Sequence, residues 1–377
     1  MTKKGYIMEQ TTSRVIKALL LLLICLVSCQ DDKDDFSKEG RFMILPVFHQ
    51  NGVEISTRAL IDATYQEFQP EDGELIYAWA HCYDSNNANE NNAVKSGEFR
   101  RSNSKWYSSV EVEGKSKYKM FAFNPGGISS SRGTFGTTDG NYTLSVSPIN
   151  TLTLGDPTIS IAAARSYWDY DLTTEDKYTD PTPVPGNFDL GTISTDMHKD
   201  RVYLAMNHLY AKASLKFKMN ATYAEIRTIV ITGIKIRTSR GQSSMNVTFS
   251  AQPEPAWTTP TASVLELEVP IVGDSVILTT NLQDAPVATF CYLPVAGTSL
   301  PIELEVEYNV YHSNATFDPA DDQGQWLIRK EQHARNAKIM PSAAPTAGTD
   351  YPINITVNPT YLYQLSDDDA GLELIIE

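Results

Sequence analysis

Tyr167-Trp168-Asp169-Tyr170 sets three aromatic rings beside a carboxylate. A sugar-binding platform needs that combination, because C–H groups stack on rings while hydroxyls donate to acids. Trp168 and Tyr170 would carry such glycan binding. The same run also reads as the end of a strand whose rings pack inward. Glu303, Glu305 and Glu307 suggest a second chemistry, paired carboxylates for general acid–base work. Their period of two puts all three on one face of one strand, where a solvated row is the plainer reading. Asp318, Asp321 and Asp322 near Gly324, and Asp169 and Asp171 with Glu175 and Asp176, are acidic loops able to hold calcium in principle. Neither has the EF-hand spacing, so both read first as turns.

Six histidines, His49, His81, His198, His208, His312 and His333, are spread along the chain. None stands at HExxH spacing or beside a GxSxG elbow, and no GxGxxG or GxxxxGK[ST] loop is present. His198 and His208 flank a strand ten residues apart, a weak metal signal. Cys82 and Cys291 lie in strand-like runs far apart in sequence. Two buried thiols acting as small hydrophobes is the plain reading, a disulfide between them the alternative. No catalytic residue, metal or cofactor follows from these patterns, and the chain is expected not to be an enzyme.

Cys29 is the residue whose surroundings specify a reaction. Ala18 to Ser28 is a short, largely apolar run flanked by Arg14 and Lys17 and ending in Leu26-Val27-Ser28-Cys29. It is too short to span a bilayer as a stable helix. Its end resembles the bacterial lipobox, where the thiol is acylated and the chain is cut just before it. Residues 1–28 then form a lipoprotein signal peptide, and the mature chain is anchored to a membrane rather than spanning it. An ordinary secretory signal with an incidental cysteine is the alternative. Residues 29–41 read as an acidic tether, because Asp31, Asp32, Asp34 and Asp35 cannot bury a core.

The elements that must position everything else are strands. Ala213, Leu215, Phe217 and Met219 alternate with Lys212, Ser214, Lys216 and Lys218, and Ile302, Leu304, Val306, Tyr308 and Val310 alternate with the glutamates. Strict alternation lays one face on a core and the other in water. Shorter runs of this kind recur from Phe42–Phe48 to Leu372–Ile376, punctuated by turns such as Asn51-Gly52 and Asp139-Gly140. A helix is expected for no more than one or two turns, around Tyr223–Arg227. The fold class is all-β, in antiparallel sandwiches. The Asp- and Pro-rich stretch 169–191 is the expected boundary between an N-terminal sandwich at 42–185 and a C-terminal one at 195–377. The chain carries 31 Lys+Arg against 46 Asp+Glu, a net of −15 that becomes −18 once residues 1–28 are removed. Without a clustered basic face, that charge excludes nucleic acid as a partner.

Taken in order, the lipobox, Ile55-Ser56-Thr57-Arg58-Ala59, Tyr118-Lys119-Met120-Phe121-Ala122-Phe123-Asn124-Pro125, His208–Phe217 and Tyr351–Val357 resemble the fimbrillin-like proteins of Bacteroidales. The acids after Cys29 similarly resemble the surface-export tag of Bacteroidetes lipoproteins. The resemblance implies an outer-membrane lipoprotein of two Greek-key, transthyretin-like sandwich domains that polymerises into surface fimbriae or caps them as an adhesin. Its partners would be other fimbrial subunits, the outer membrane through the lipid, and host or bacterial surface glycans. A surface glycan-binding lipoprotein is the competing reading. The insert Asp84–Asn92 and the linker depart from the family pattern and favour an accessory or tip position over a repeating stalk.

The resemblance also implies strand exchange and proteolytic maturation after a basic residue. A sandwich lacking one strand exposes unpaired amides and apolar pockets that a strand from another subunit fills. Leu372, Leu374 and Ile376 alternate at the C-terminus, as a donor strand would, unless that strand pairs in its own domain. Cutting after Arg41 would remove only the tether. Cutting after Arg58 would remove Phe42–Phe48 and Val53–Ser56 and open a groove, the alternative being that Arg58 is an exposed turn residue.

Overall fold

Alternating sequence becomes sheet throughout the computed structural model of the chain. It describes residues 43–49, 65–67, 75–102, 105–110, 116–125, 132–154, 161–166, 170–171, 201–249, 253–313, 327–359 and 372–376, leaving aside 87, 90, 139, 274, 337–338 and 341–342. The fold is all-β. The largest sheet runs in the order β2 (Tyr65–Glu67), β1 (Met43–His49), β12 (Arg201–His208), β10 (Ala162–Arg165), β6 (Ser116–Asn124), β3 (Leu75–Ser85), β4 (Val94–Ser102) and β5 (Lys105–Ser108), with β11 (Tyr170–Asp171) on β6. A four-stranded sheet is ordered β16 (Pro253–Trp257), β15 (Gln242–Phe249), β8 (Asn141–Asn150), β7 (Thr134–Thr138).

Two further sheets hold the remaining strands of the described residues. One is ordered β23 (Leu372–Ile376), β22 (Asp350–Pro359), β13 (Ala211–Met219), β19 (Ala288–Tyr292), β9 (Leu152–Leu154). The other is ordered β17 (Leu265–Glu268), β14 (Arg227–Thr238), β20 (Ile302–His312), β21 (Leu327–Asn336), with β18 (Val276–Ile277) on β14. Pairing is antiparallel except for β1 with β12 and β13 with β22. A parallel partner cannot be reached by a tight turn, and long stretches of chain separate the two strands in both cases.

The expected helical turn occurs two residues early, as α1 (Ala221–Ala224). Asn220 sets its start, its side-chain oxygen accepting from the amides of Thr222 at 3.0 Å and Tyr223 at 3.3 Å. Alternation is realised side chain by side chain. Leu215, Phe217, Leu304 and Val306 are fully buried, while Lys212, Lys216, Lys218, Glu303, Glu305 and Glu307 keep partial exposure. Ser214 is the exception on the polar face of β13: it is buried and donates to both carboxylate oxygens of Asp350, at 2.7 and 2.9 Å.

The strand pairing crosses the expected division at 185–195. β12 follows that division yet pairs with β1 and β10, and β8 precedes it yet pairs with β15. One apolar core is continuous from Trp79 to Leu374. Proline-rich composition marks where the backbone leaves a sheet, but it does not specify to which sheet the chain returns.

β3 and β6 are covered on both faces, which is why their sequences are nearly continuous apolar runs. One face carries Ile76, Ala78, Ala80, Cys82, Tyr118, Met120 and Ala122, packed with Phe99, Leu204 and Met206. The other carries Trp79, Phe121 and Phe123 against the four-stranded sheet. There Trp79 stacks on Phe135 at 5.3 Å, and Phe121 lies 4.5 Å from Tyr142 and 5.2 Å from Phe249. Layers approach so closely at β4 that a Cβ on Gly97 would sit 2.6 Å from the Val110 amide nitrogen. At the outer edge of its sheet, β21 breaks register opposite Tyr308–Tyr311, and Glu331 takes a left-handed φ of 56°. The side-chain oxygen of Asn309 accepts the Glu331 N–H at 2.9 Å.

Candidate functional site

The candidate site is a seam in the largest sheet. β1 lies between two partners: Met43–Phe48 pair in parallel with Arg201–Met206, and Val47–His49 pair antiparallel with Tyr65–Glu67. β1 also runs close to β5, so the two ends of the sheet approach each other. On β12 the alternating Leu204 and Met206 are fully buried, and they tie the seam to the core beneath β3 and β6. The chain leaves β1 through residues 50–64, a stretch that contains Arg58. A strand held by main-chain bonds to non-adjacent partners can be replaced by another strand of suitable pattern, since those bonds do not depend on side-chain identity.

Cys29, Arg58 and Trp168 lie outside the described residues. Tyr170 opens β11, where it stands opposite Tyr118 of β6. Leu372, Leu374 and Ile376 form β23, which in this single chain pairs with β22 over Ile355–Pro359. Leu374 is buried, Ile376 partly so, and the Asn336 side-chain amide donates to the Leu374 carbonyl at 2.8 Å. β23 ends its sheet, so its outer row of amides and carbonyls faces no strand of that sheet. The sequence reading recognised a strand between His198 and His208 but did not link it to Phe42–Phe48. Only the alternation Val202, Leu204, Met206 hints at the strand, and nothing local names its partner.

Glu303, Glu305, His333 and His81 are engaged structurally. Glu305 receives Arg335 at 2.7 Å and His333 at 2.9 Å, and Glu303 faces Arg335 at 3.9 Å. The glutamate row of β20 thus meets a basic row on β21. Cys82 and Cys291 are buried thiols. Among the described residues, no three His, Cys, Asp or Glu side chains converge as a metal site would require. His81 is buried and shares a 3.0 Å hydrogen bond between its Nδ1 and the Tyr142 hydroxyl. Burial, and secondarily the Lys119 ammonium, hold its pKa below the ordinary histidine value of 6.5.

Neither a family model nor a curated protein matches the sequence. Solved structures similar to the chain include a fimbrial protein from Bacteroides vulgatus, at 12% identity over 82% of this chain and 93% of that one, with a TM-score of 0.37. A candidate cell adhesion protein from Bacteroides ovatus is 13% identical over 89% of this chain and 96% of its own, with a TM-score of 0.40. The fimbrial anchor protein Mfa2 from Porphyromonas gingivalis is 12% identical over 88% and 95%, with a TM-score of 0.28.

Proposed function

We propose that this chain is a subunit of surface fimbriae that reaches the outer membrane as a precursor lipidated on Cys29, is released from that anchor by cleavage after Arg58, joins its neighbours by strand exchange and serves adhesion. The observation that carries the reading is the placement of β1, inserted between β2 and β12 and linked onward only through the stretch containing Arg58. Cleavage after Arg58 converts β1 from a tethered strand into a separate segment, whose departure bares the β12 edge and leaves β2 unpartnered. Cleavage after Arg41 leaves β1 attached and changes nothing in the sheet. β23, at a sheet edge, is the donor, with Leu372, Leu374 and Ile376 as its alternating anchors. A donor in the β1 seam would restore the main-chain bonds along β12.

N-terminal sequencing of the surface-assembled form, with electrophoresis of unboiled samples, tests this. Maturation predicts a chain starting at Ala59 and a ladder that resists SDS. An assembled chain still starting at Cys29 would remove the exchange mechanism, and an uncleaved monomer retarded in glycan-affinity gels would favour the glycan-binding reading.

A further inference from the structure

In a chain with a net charge of −15, Lys119 and Arg165 share one face of the largest sheet, and among the described residues neither has a carboxylate partner. Arg165 of β10 pairs with Phe121 of β6, so Lys119 is its diagonal neighbour, about 7–8 Å away on the same face. Both reach the same ring: the Lys119 ammonium and the Arg165 guanidinium each lie 5.9 Å from the centre of Tyr142. Lys119 also stands 5.1 Å over the ring of Tyr83. His81, directly opposite Lys119 in register, meets the Tyr142 hydroxyl on the same face. Among the described residues, no carboxylate approaches either cation within ion-pair distance. The Arg165 Nε is buried without a hydrogen-bond acceptor.

Cation–π contact accounts for part of this arrangement, with Lys119 lying against two rings. It leaves two facts unexplained. Like charges brought together repel, and a buried guanidinium N–H lacking an acceptor forfeits the hydrogen bond it made to water. A ligand that supplies negative charge and acceptor oxygens between the two side chains resolves both. We propose that Lys119 and Arg165, flanked by His81, Tyr83 and Tyr142, form a binding site for an oxyanion, the carboxylate or sulfate of an acidic ligand. Arg165 presents a planar fork with Nε as one donor, and Lys119 supplies a point charge. The site lies on the face of β3, β6 and β10 that meets β8, and it does not depend on whether subunits exchange strands.

His81 reports on occupancy. Among the described residues, Lys119 stands opposite it and Tyr142 shares its hydrogen bond, with Tyr83 and Arg165 beside those two, and Lys119 is the one that adds to burial in disfavouring its protonation. An oxyanion beside Lys119 cancels that field and raises the His81 pKa. The test is an NMR titration of the full chain with labelled histidine, using inorganic sulfate in one arm and a sulfated, uronate-containing oligosaccharide in the other. Saturable His81 shifts with an upward pKa change are expected, weakened about ten-fold in Lys119→Gln and in Arg165→Gln. Tighter binding of the oligosaccharide assigns the oxyanion to a saccharide, whereas equal binding assigns a free inorganic anion; either outcome supports the site. Lys119 is partly exposed, so Lys119→Gln decides the matter if Arg165→Gln does not fold. No saturable response to either probe, or an unchanged midpoint in Lys119→Gln, overturns the proposal.

Discussion

Removing β1 should leave the protein folded but measurably weaker, and a peptide should restore it. The comparison is between a chain beginning at Phe42 and one beginning at Ala59, so that the acidic tether is absent from both. The register pairs six residues of β1 with six of β12. A parallel ladder of that length makes about six main-chain hydrogen bonds, each worth a net of about 0.5–1.5 kcal/mol. The shorter chain should therefore lose about 3–9 kcal/mol, before any apolar area is counted. Trp79, buried on β3 in the same sheet and stacked on Phe135, supplies the fluorescence signal for urea unfolding. Adding a peptide of residues 42–49 should return most of the loss in a saturable way. Stability of the two chains within about 1 kcal/mol would refute the reasoning, because an edge that costs so little to uncover cannot drive exchange. Equal rescue by a scrambled peptide would refute it too, since alternation must decide which strand fits.

Phe217→Ala removes a fully buried ring from β13 and should cost about 3–5 kcal/mol in urea unfolding, through lost transfer energy and the cavity left behind. Because the His81 pKa is depressed in the folded state, its contribution is fully present above pH 6.5 and is lost as pH falls from there through the folded pKa. His81→Gln should flatten the stability–pH curve below pH 6.5, and an identical slope in the variant would contradict the assignment. Cys29→Ala should abolish fatty-acid labelling and release the protein from membranes; labelling at the wild-type level would show that Cys29 is not the lipid site.

What the sequence made legible follows from what alternation encodes. Leu215 and Phe217 against Lys216 and Lys218, and Leu304 and Val306 against Glu305 and Glu307, announce strands with one wet face, and they fold that way. The apolar run Ile76–Cys82 announces a strand as well, but the layer covering its second face, Phe135, Tyr142 and Phe249, comes from segments far along the chain. Period-two patterning specifies which side chains turn inward; it carries no information on which strand lies alongside. Hence β12 as the parallel partner of β1, and the return of the chain across the Asp- and Pro-rich linker, were not legible. For the same reason, nothing in the sequence links Lys119 to Arg165. Only the register of β6 with β10 makes them neighbours, and the buried Arg165 Nε without an acceptor makes the pair unusual.

The left-handed Glu331 on β21 bears on how copies of the chain meet at high concentration. A flat, regular sheet edge would then template stacking between copies. At β21 the backbone leaves register opposite Tyr308–Tyr311, and Lys330, Glu331, His333 and Arg335 project from it into solvent. A neighbouring strand finds no unbroken row of donors and acceptors there, and it meets charge at most positions. That flank therefore disfavours the addition of a strand from a second copy.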